Sequence, residues 1–203
     1  MLIDTRITLP HNNTVINSPR IFCIGRNYAA HAAEMKSKVP EVPMVFLKPS
    51  TALARDGGEV VLPDLSAEIH HEVELVAVIG KGGKHIAPEH ALDHICGYGV
   101  GLDMTARDIQ AAAKKKGHPW SVAKGFDTFA PLGELVPASE VPDPHGLDIE
   151  LKVNGKTRQA GNTLDMIFNL PALIAYCSRI FTLLPGDLLY TGTPEGVAQV
   201  HSG

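Results

Sequence analysis

The chain is poor in cysteine, has no long apolar run and carries no excess of basic residues. Its 203 residues include three cysteines, Cys23, Cys96 and Cys177, which are far apart, odd in number and without Cys-x-x-Cys spacing. Neither a zinc site nor a disulfide framework is indicated, and a reducing cytoplasm fits best. No run approaches the roughly 20 apolar residues of a membrane helix, and the N-terminus shows no signal-peptide core, so we expect no membrane association.

The charge balance gives nucleic-acid binding little support. Lysine and arginine number 18 against 22 aspartate and glutamate, for a formal net charge of −4. The one cationic cluster, Lys114 to Lys116, is better explained as a helix end, where positive charge interacts favourably with the dipole. We expect residues 1–20 to be a polar, proline-containing N-terminal lead-in and residues 21–203 to form one folded domain.

Short strands separated by turns dominate the rest of the chain. Asn154-Gly155 is the strongest hairpin signal, and it follows a segment of strict polar–apolar alternation. Strands are predicted at 21–24, 44–47, 60–62, 71–79, 97–104, 147–153 and 188–190. Helices are predicted at 29–38, 88–94, 106–116 and 171–179, with Thr105 as a cap and Gly117 as a stop. Many short strands with few helices predict a β-rich α+β domain.

One predicted strand carries two carboxylates near its start. Glu72 and Glu74 are two residues apart, so their side chains point to the same face, roughly 7 Å apart. No lysine or arginine lies within the strand to neutralise them, and a divalent cation between them would remove their repulsion. The alternative is the solvated face of an edge strand, which the spacing alone favours.

A third carboxylate strengthens the prediction of a metal site. Asp103 follows the apolar, glycine-rich segment 97–102, where a charge needs a reason. Three oxygen donors without a thiolate favour a hard cation such as Mg²⁺, with Mn²⁺ or Ca²⁺ as alternatives. Such a site leaves coordination positions for water and substrate.

Two further pairs can act beside that site. His31 and Glu34 are spaced i,i+3 on a predicted helix, and a histidine held by a carboxylate is a general base near neutral pH. Arg107 and Gln110 have the same spacing, and with Lys124 they suit an anionic substrate. The alternatives are an exposed His–Glu pair and ordinary surface charge.

Motifs in a fixed order carry a resemblance to a known family. In sequence they are Gly25-Arg26-Asn27-Tyr28, His31 with Glu34, His71-Glu72-Val73-Glu74, the segment 102–110, Ala123-Lys124-Gly125-Phe126, Gly186-Asp187 and Thr191-Gly192-Thr193-Pro194. Together they closely resemble the fumarylacetoacetate hydrolase family, most of all its short, single-domain, acylpyruvase-like branch. The resemblance covers nearly the whole chain from about Ile21.

The resemblance implies a fold, a cofactor and roles for these residues. It implies a mixed β-sandwich roll of the family's C-terminal-domain type, a homodimer, and a place in aromatic catabolism. It implies Mg²⁺ or Mn²⁺ on Glu72, Glu74 and Asp103, and water activation by His31 and Glu34. It assigns Arg107, Gln110, Lys124 and Thr193 to the substrate's keto-acid end and Arg26 to substrate binding, and Lys124 would also stabilise the enolate formed.

Chains of this family normally continue past the segment that matches 197–203 into at least one more strand. The resemblance therefore implies that this terminal strand is shortened or absent here. A missing strand would expose a sheet edge. None of the predicted site residues lies in that part.

The expected activity is hydrolytic C–C cleavage of an acylpyruvate or other β-diketo acid, of the fumarylpyruvate or acetylpyruvate type, to pyruvate and a carboxylic acid. The first alternative is oxaloacetate decarboxylation or keto–enol tautomerisation on the same scaffold, since both need a stabilised enolate and no attacking water. The second alternative is a non-catalytic domain with a structural cation. The sequence does not identify the acyl group.

Overall fold

The computed structural model describes residues 4–17 and 19–202. Residues 1–3, 18 and 203 lie outside it, and so do the parts of the predicted lead-in and chain end that fall on them. Fifteen strands are present in these ranges: β1 Arg6–Thr8, β2 Val15–Asn17, β3 Ile21–Gly25, β4 Met44–Lys48, β5 Leu53–Arg55, β6 Ile69–His71, β7 Val73–Ile79, β8 Ile95–Leu102, β9 Thr105–Ala106, β10 Ala130–Leu132, β11 Val136–Pro137, β12 Asp148–Val153, β13 Lys156–Asn162, β14 Leu188–Tyr190 and β15 Ala198–Gln199. The α-helices are α1 Ala29–Glu34, α2 Arg107–Lys116, α3 Ser121–Lys124 and α4 Leu170–Ile180.

An eight-stranded mixed sheet organises the described chain. Its strand order is β4-β3-β14-β7-β8-β10-β5, with β11 paired to β8. The pairs β3–β14 and β5–β10 are parallel, whereas the other pairs are antiparallel. A three-stranded sheet in the order β15-β6-β9 and the two-stranded hairpin β12–β13 are separate from this sheet. The predicted β-rich α+β class is therefore confirmed.

Strand β7 is the centre of this sheet. All seven of its residues are buried, because β14 and β8 pair with its two edges and apolar side chains cover both faces. On one face lies a core that includes Leu75, Ala77 and the buried side of α4. On the other face lies a core that includes Val76 and Val78. A near-continuous apolar run is what such a two-sided strand requires.

The segment before Ile21 is more structured than the predicted lead-in. Strands β1 and β2 form an antiparallel hairpin, with Arg6 opposite Asn17. Ile7 and Leu9 are buried in the core on the Val76 face of the sheet. Alternating exposure along β1 explains why the segment reads as polar in the sequence, since only part of it faces the core.

Several predicted elements are present with changed limits. The first helix ends at Glu34 rather than Lys38, and the predicted helix at 88–94 is two short 3₁₀ turns, Pro88–His90 and Leu92–His94. Thr105 lies in β9 and does not cap α2; its hydroxyl donates to the carbonyl of Asp103. Residues 60–62 form no strand in the structure.

The predicted turn chemistry is confirmed at two positions. Asn154 and Gly155, between β12 and β13, have φ angles of 52° and 72°, as expected for the tight hairpin that their sequence indicates. Gly117 ends α2 with φ 67°, a left-handed conformation that glycine adopts without a Cβ penalty. No helix in the described ranges is long and apolar enough to cross a membrane.

Candidate active site

Three carboxylates meet at one end of the central strands. Glu74 lies in β7, Glu72 occupies the break between β6 and β7, and Asp103 follows β8. The β7–β8 register places Val73 opposite Leu102, and the amide of Asp103 donates to the carbonyl of Glu72 over 2.8 Å. One oxygen from each carboxylate lies within 4.8 Å of the others.

The burial of these carboxylates removes the alternative of a solvated edge strand. Glu72, Glu74 and Asp103 are only 5%, 1% and 1% exposed. Acidic side chains are almost never so deeply buried unless they are paired or bind a metal. The spacing alone favoured an exposed face, because it could not show that Arg107, Lys124 and the amide of Gly192 pack against these carboxylates.

Two of these carboxylates are paired with buried cations. The ammonium of Lys124 donates to Glu72 Oε2 over 2.9 Å and to Asp103 Oδ2 over 2.5 Å. The guanidinium of Arg107 donates to Glu72 Oε1 over 2.5 Å. Glu74 has a weaker partner, the backbone N–H of Gly192 at 2.8 Å. Charge compensation is therefore concentrated on Glu72 and Asp103.

A second buried lysine, Lys48, supports Asp103 and was not among the predicted site residues. Its three N–H groups donate to the carbonyls of Met104, Lys124 and Phe129, over 3.0, 2.7 and 2.7 Å. Its nitrogen also lies 2.6 Å from Asp103 Oδ1. With all three protons used elsewhere, this last contact is electrostatic rather than a hydrogen bond. A lysine ending the apolar strand β4 was the available signal.

Burial and charge divide the carboxylates into two kinds. Burial opposes ionisation of Glu72, but the charges of Lys124 and Arg107 outweigh it and hold the pKa of that carboxyl below its usual range. Burial, reinforced by the neighbouring charges of Asp103 and Glu72, raises the pKa of Glu74 well above its usual value. The cluster therefore has too little positive charge on its Glu74 side.

The donor set fits a divalent cation. Asp103 Oδ1 is buried and receives no hydrogen bond from any residue that the structure describes. A carboxylate oxygen without a donor, next to a carboxyl that resists ionisation, is the environment that a hard cation relieves. Glu72, Glu74 and Asp103 would hold such an ion through oxygen alone, which suits Mg²⁺ or Mn²⁺.

The predicted base and its partner lie at the same pocket. His31 is buried on α1, and its Nδ1 lies 3.3 Å from Glu34 Oε2. Glu34 is fixed on its other oxygen by the amide of Gly196 at 3.0 Å. This contact between Nδ1 and a carboxylate leaves Nε2 of His31 as the nitrogen free to exchange a proton in the pocket.

The residues predicted to bind substrate surround the carboxylates. One pocket is lined by Glu72, Glu74 and six other predicted site residues: Arg26, His31, Arg107, Gln110, Lys124 and Thr193. Glu34 and Asp103 are not part of the lining, but each contacts a residue that is. Arg107 also donates to Gln110 Oε1 over 2.9 Å, which orients that amide.

Gln159 connects three parts of the site and was not among the predicted site residues. This buried side chain on β13 accepts from the amide of Val73 at 3.0 Å and lies 2.8 Å from Nδ1 of His71. Its amide nitrogen donates to Thr193 Oγ1 over 2.8 Å and to the carbonyl of Pro194 over 2.9 Å. Because the Thr193 oxygen accepts here, its proton is available to a ligand. A single glutamine in an exposed-looking hairpin carried no usable signal.

Comparison with known proteins identifies the family. The model of the fumarylacetoacetate (FAA) hydrolase C-terminal domain matches residues 20–202. The chain belongs to the fumarylacetoacetate hydrolase family. The curled, mixed sheet with α-helices is the fold of that domain, so the family and fold that the motifs imply are confirmed.

Relatives in this family have more than one activity. A fumarylpyruvate hydrolase from Pseudomonas aeruginosa, solved with Mn²⁺ and pyruvate, superposes with TM-score 0.92 at 42% identity, over 100% of this chain and 89% of that one. The mitochondrial oxaloacetate tautomerase FAHD1 of Arabidopsis thaliana is 51% identical, over 91% of this chain and 82% of its own length.

A third relative widens the range further. The 5-carboxymethyl-2-hydroxymuconate delta-isomerase of Mycobacterium smegmatis has TM-score 0.80 at 40% identity, over 90% of this chain and 70% of that one. Membership of the family therefore supports an enzyme with a metal-binding acidic cluster. It does not choose among hydrolysis, isomerisation and tautomerisation.

Proposed function

We propose that this protein is a metal-dependent hydrolase that cleaves a C–C bond in acylpyruvate-type β-diketo acids, giving pyruvate and a carboxylic acid. The observation that supports this best is the presence of the His31–Glu34 pair at the carboxylate pocket. Tautomerisation needs a chelated enolate, whereas hydrolysis also needs a base that activates water. The fumarylpyruvate hydrolase with Mn²⁺ and pyruvate is similar in structure over the whole chain.

A divalent cation on Glu72, Glu74 and Asp103, with Mg²⁺ as the expected ion and Mn²⁺ or Ca²⁺ as alternatives, would supply Lewis-acid polarisation and charge stabilisation for the keto-acid end. His31, oriented by Glu34, takes a proton from a water molecule. The resulting hydroxide adds to the distal carbonyl carbon. The bond between that carbon and C3 then breaks, and its electron pair leaves as the enolate of pyruvate, which is protonated at C3.

The cationic and polar side chains assist this sequence from fixed positions. Lys124 is the proposed stabiliser of negative charge that develops on the enolate oxygen. Burial opposes its charge, but its partners Asp103 and Glu72 outweigh burial and raise its pKa, so it stays protonated. Arg107, Gln110 and Thr193 orient the carboxylate and carbonyl of the keto acid by hydrogen bonds. Arg26 is the proposed contact farther along the substrate.

Oxaloacetate tautomerisation is the second candidate, with oxaloacetate decarboxylation as its close variant. The support is the similarity to oxaloacetate tautomerase FAHD1, at 51% identity. Both reactions use the acidic cluster and Lys124 to stabilise an enolate, and neither requires hydroxide. A purely structural cation fits less well, because the pocket would then have no use for Arg107, Gln110 and Thr193.

A substrate panel distinguishes these activities. Protein stripped of metal by a chelator is assayed with acetylpyruvate, fumarylpyruvate and oxaloacetate, before and after Mg²⁺ is restored. Mg²⁺-dependent release of pyruvate from an acylpyruvate supports the hydrolase. Turnover of oxaloacetate with every acylpyruvate left intact contradicts it and supports the second candidate.

A cytoplasmic homodimer that acts on a small anionic keto acid in aromatic catabolism remains part of the proposal. No nucleic-acid or membrane partner is proposed, since the pocket and its charges suit a small anion. Light scattering after size-exclusion chromatography tests the dimer directly.

A further inference from the structure

The positive charges of the pocket fall into two groups. The inner cations are Lys48, Lys124 and Arg107. Each contacts Glu72 or Asp103 of the carboxylate cluster. Arg26 and Lys114 also belong to the pocket lining, yet neither has a carboxylate within 4.0 Å among the described residues. Their charges are therefore available to a bound anion.

An aromatic wall joins the inner group to Lys114. The ammonium of Lys124 lies 5.0 Å from the ring centre of Phe46. Phe46 packs edge-on against Trp120, with ring centres 5.8 Å apart, and the ammonium of Lys114 lies 5.1 Å from the centre of the Trp120 ring. An apolar surface thus extends from the reacting end of the pocket to a cation without a carboxylate partner in the described chain.

Arg26 is held at the pocket by an unusual backbone conformation. Its φ angle is 60°, in the left-handed region that non-glycine residues seldom occupy. Such conformations carry a backbone cost and cluster at ligand sites. Arg26 lies directly after β3, between that strand and α1, and its side chain reaches the pocket wall from there.

We propose that Lys114 and Arg26, beside the indole of Trp120, form a distal subsite that binds a second carboxylate on the substrate. This inference rests on the proposed function and extends it to substrate choice. The subsite favours dicarboxylic keto acids over monocarboxylic ones such as acetylpyruvate. The aromatic wall accommodates the planar, unsaturated or enolised carbon chain between the two carboxylates.

The neighbouring lysines provide the contrast. Lys115 and Lys116 follow Lys114 on α2 and are exposed, but among the described residues neither lines the pocket or contacts an aromatic ring. At a helix end all three would serve the dipole equally. A specific effect of Lys114 on dicarboxylates therefore separates a ligand-binding role from a general electrostatic one.

The test measures binding of matched 2-oxo acids by isothermal titration in the presence of Mg²⁺. The pairs are 2-oxoglutarate with 2-oxopentanoate, and 2-oxoadipate with 2-oxohexanoate; within a pair only the terminal carboxylate differs. We expect the wild-type protein to bind at least one dicarboxylate about tenfold more tightly than its partner, as for a charge-assisted hydrogen bond. Lys114→Gln reduces this preference to about twofold, Lys114→Arg retains it, and Lys115→Gln leaves it unchanged.

The titrations distinguish failure of the distal subsite from failure of the proposed function. No preference for either dicarboxylate in the wild-type protein, or a preference that Lys114→Gln leaves intact, overturns the distal subsite while the proposed function stands. If none of the four acids binds in a Mg²⁺-dependent way, the keto-acid function itself fails and the subsite fails with it. An equal loss in Lys115→Gln shows a general charge effect and also overturns the subsite.

Discussion

The inner end of the pocket, at the carboxylate cluster, and its mouth, at Lys114, Arg26 and Trp120, are built from different parts of the fold. Glu72, Glu74 and Asp103 lie on or next to central strands and are almost completely buried. Lys114 and Trp120 lie on or next to helices α2 and α3, and Lys114 is exposed as a whole residue although its ammonium is partly buried. The inner cations are paired with carboxylates of the protein, whereas Lys114 and Arg26 have no such partner in the described chain.

This difference separates chemistry from substrate choice. A buried, fully packed inner end holds its ligands in one geometry, because a change there disturbs β7 and β8 together. The mouth can change at little cost to folding, since its side chains are partly solvated.

The largest expected effect comes from replacing the least compensated carboxylate. Glu74→Gln removes a proposed metal ligand, and we expect activity to fall about 1,000-fold. Metal-free stability should stay equal or rise. The raised pKa of Glu74 means that the unfolded chain releases a proton that the folded chain retains, which destabilises the folded state as pH rises above the unfolded value.

Calorimetric melting of the metal-free protein at about pH 8, above the unfolded pKa of a glutamate, together with activity at saturating Mg²⁺, checks this prediction. Glu59→Gln, at an exposed position, is the matched control and should change neither quantity. A large loss of metal-free stability in Glu74→Gln would show that this carboxylate is mainly structural.

The second prediction concerns the base. His31→Ala should lower hydrolysis of an acylpyruvate by about 100-fold, because it removes the imidazole that takes the proton from water. Tautomerisation or decarboxylation of oxaloacetate should survive. His90 and Asp93 form an exposed pair with the same i,i+3 spacing, so His90→Ala is the control. Hydrolysis that persists in His31→Ala rules out this role.

Lys48 provides a test of how the inner end is held together. Lys48→Met leaves Asp103 and three backbone carbonyls without this ammonium, and the lysine side chain is completely buried. We expect the free energy of unfolding to fall by about 3–5 kcal/mol in urea titrations. Lys81→Met, at an exposed lysine, should change it little. A loss as small as in this control would mean that the contacts of Lys48 carry no net stability.

The smallest expected effect is a pH dependence at the mouth. Partial burial of the ammonium, with the nearby charges of Arg107 and Arg26, lowers the pKa of Lys114 to about 8. Lys114 is therefore charged below this pH and neutral above it, so affinity for a dicarboxylate should fall severalfold between about pH 7 and about pH 9. The fall should be absent in Lys114→Gln and for the matched monocarboxylates. The same fall in both would locate the titrating group elsewhere.

Most residues of the candidate site could be predicted from the sequence, but two that support it could not. Motif order placed His31, the acidic residues and Lys124 among the candidates, and the fold brings them to one pocket because each motif marks a strand end or a helix face. Lys48 and Gln159 were missed. Each acts through tertiary contacts with residues more than 50 positions away. The position of Lys48 at the end of an apolar strand was the one available signal, and Gln159 stands in no pattern that predicts burial.

The N-terminal segment and the Glu72 strand show the same limit. Composition indicated a polar lead-in over residues 1–20, yet β1 and β2 pair within it and Ile7 packs into the core. Spacing alone favoured an exposed face for Glu72 and Glu74, yet both are buried against Arg107, Lys124 and the amide of Gly192. Local patterns report periodicity, whereas burial depends on which distant segments pack together.

The sequence by itself determined the residue types that can bind a hard cation, the hairpin and helix-stop turns, and the family. These depend on ligand chemistry, local backbone preferences and motif order. Only the tertiary structure decided that Glu74 is the least compensated carboxylate, that Asp103 Oδ1 lacks a donor within the described chain, and that Lys114 faces the pocket while Lys115 and Lys116 do not. Charge compensation is a property of distances between residues far apart in the chain, so it exists only after the strands and helices have packed.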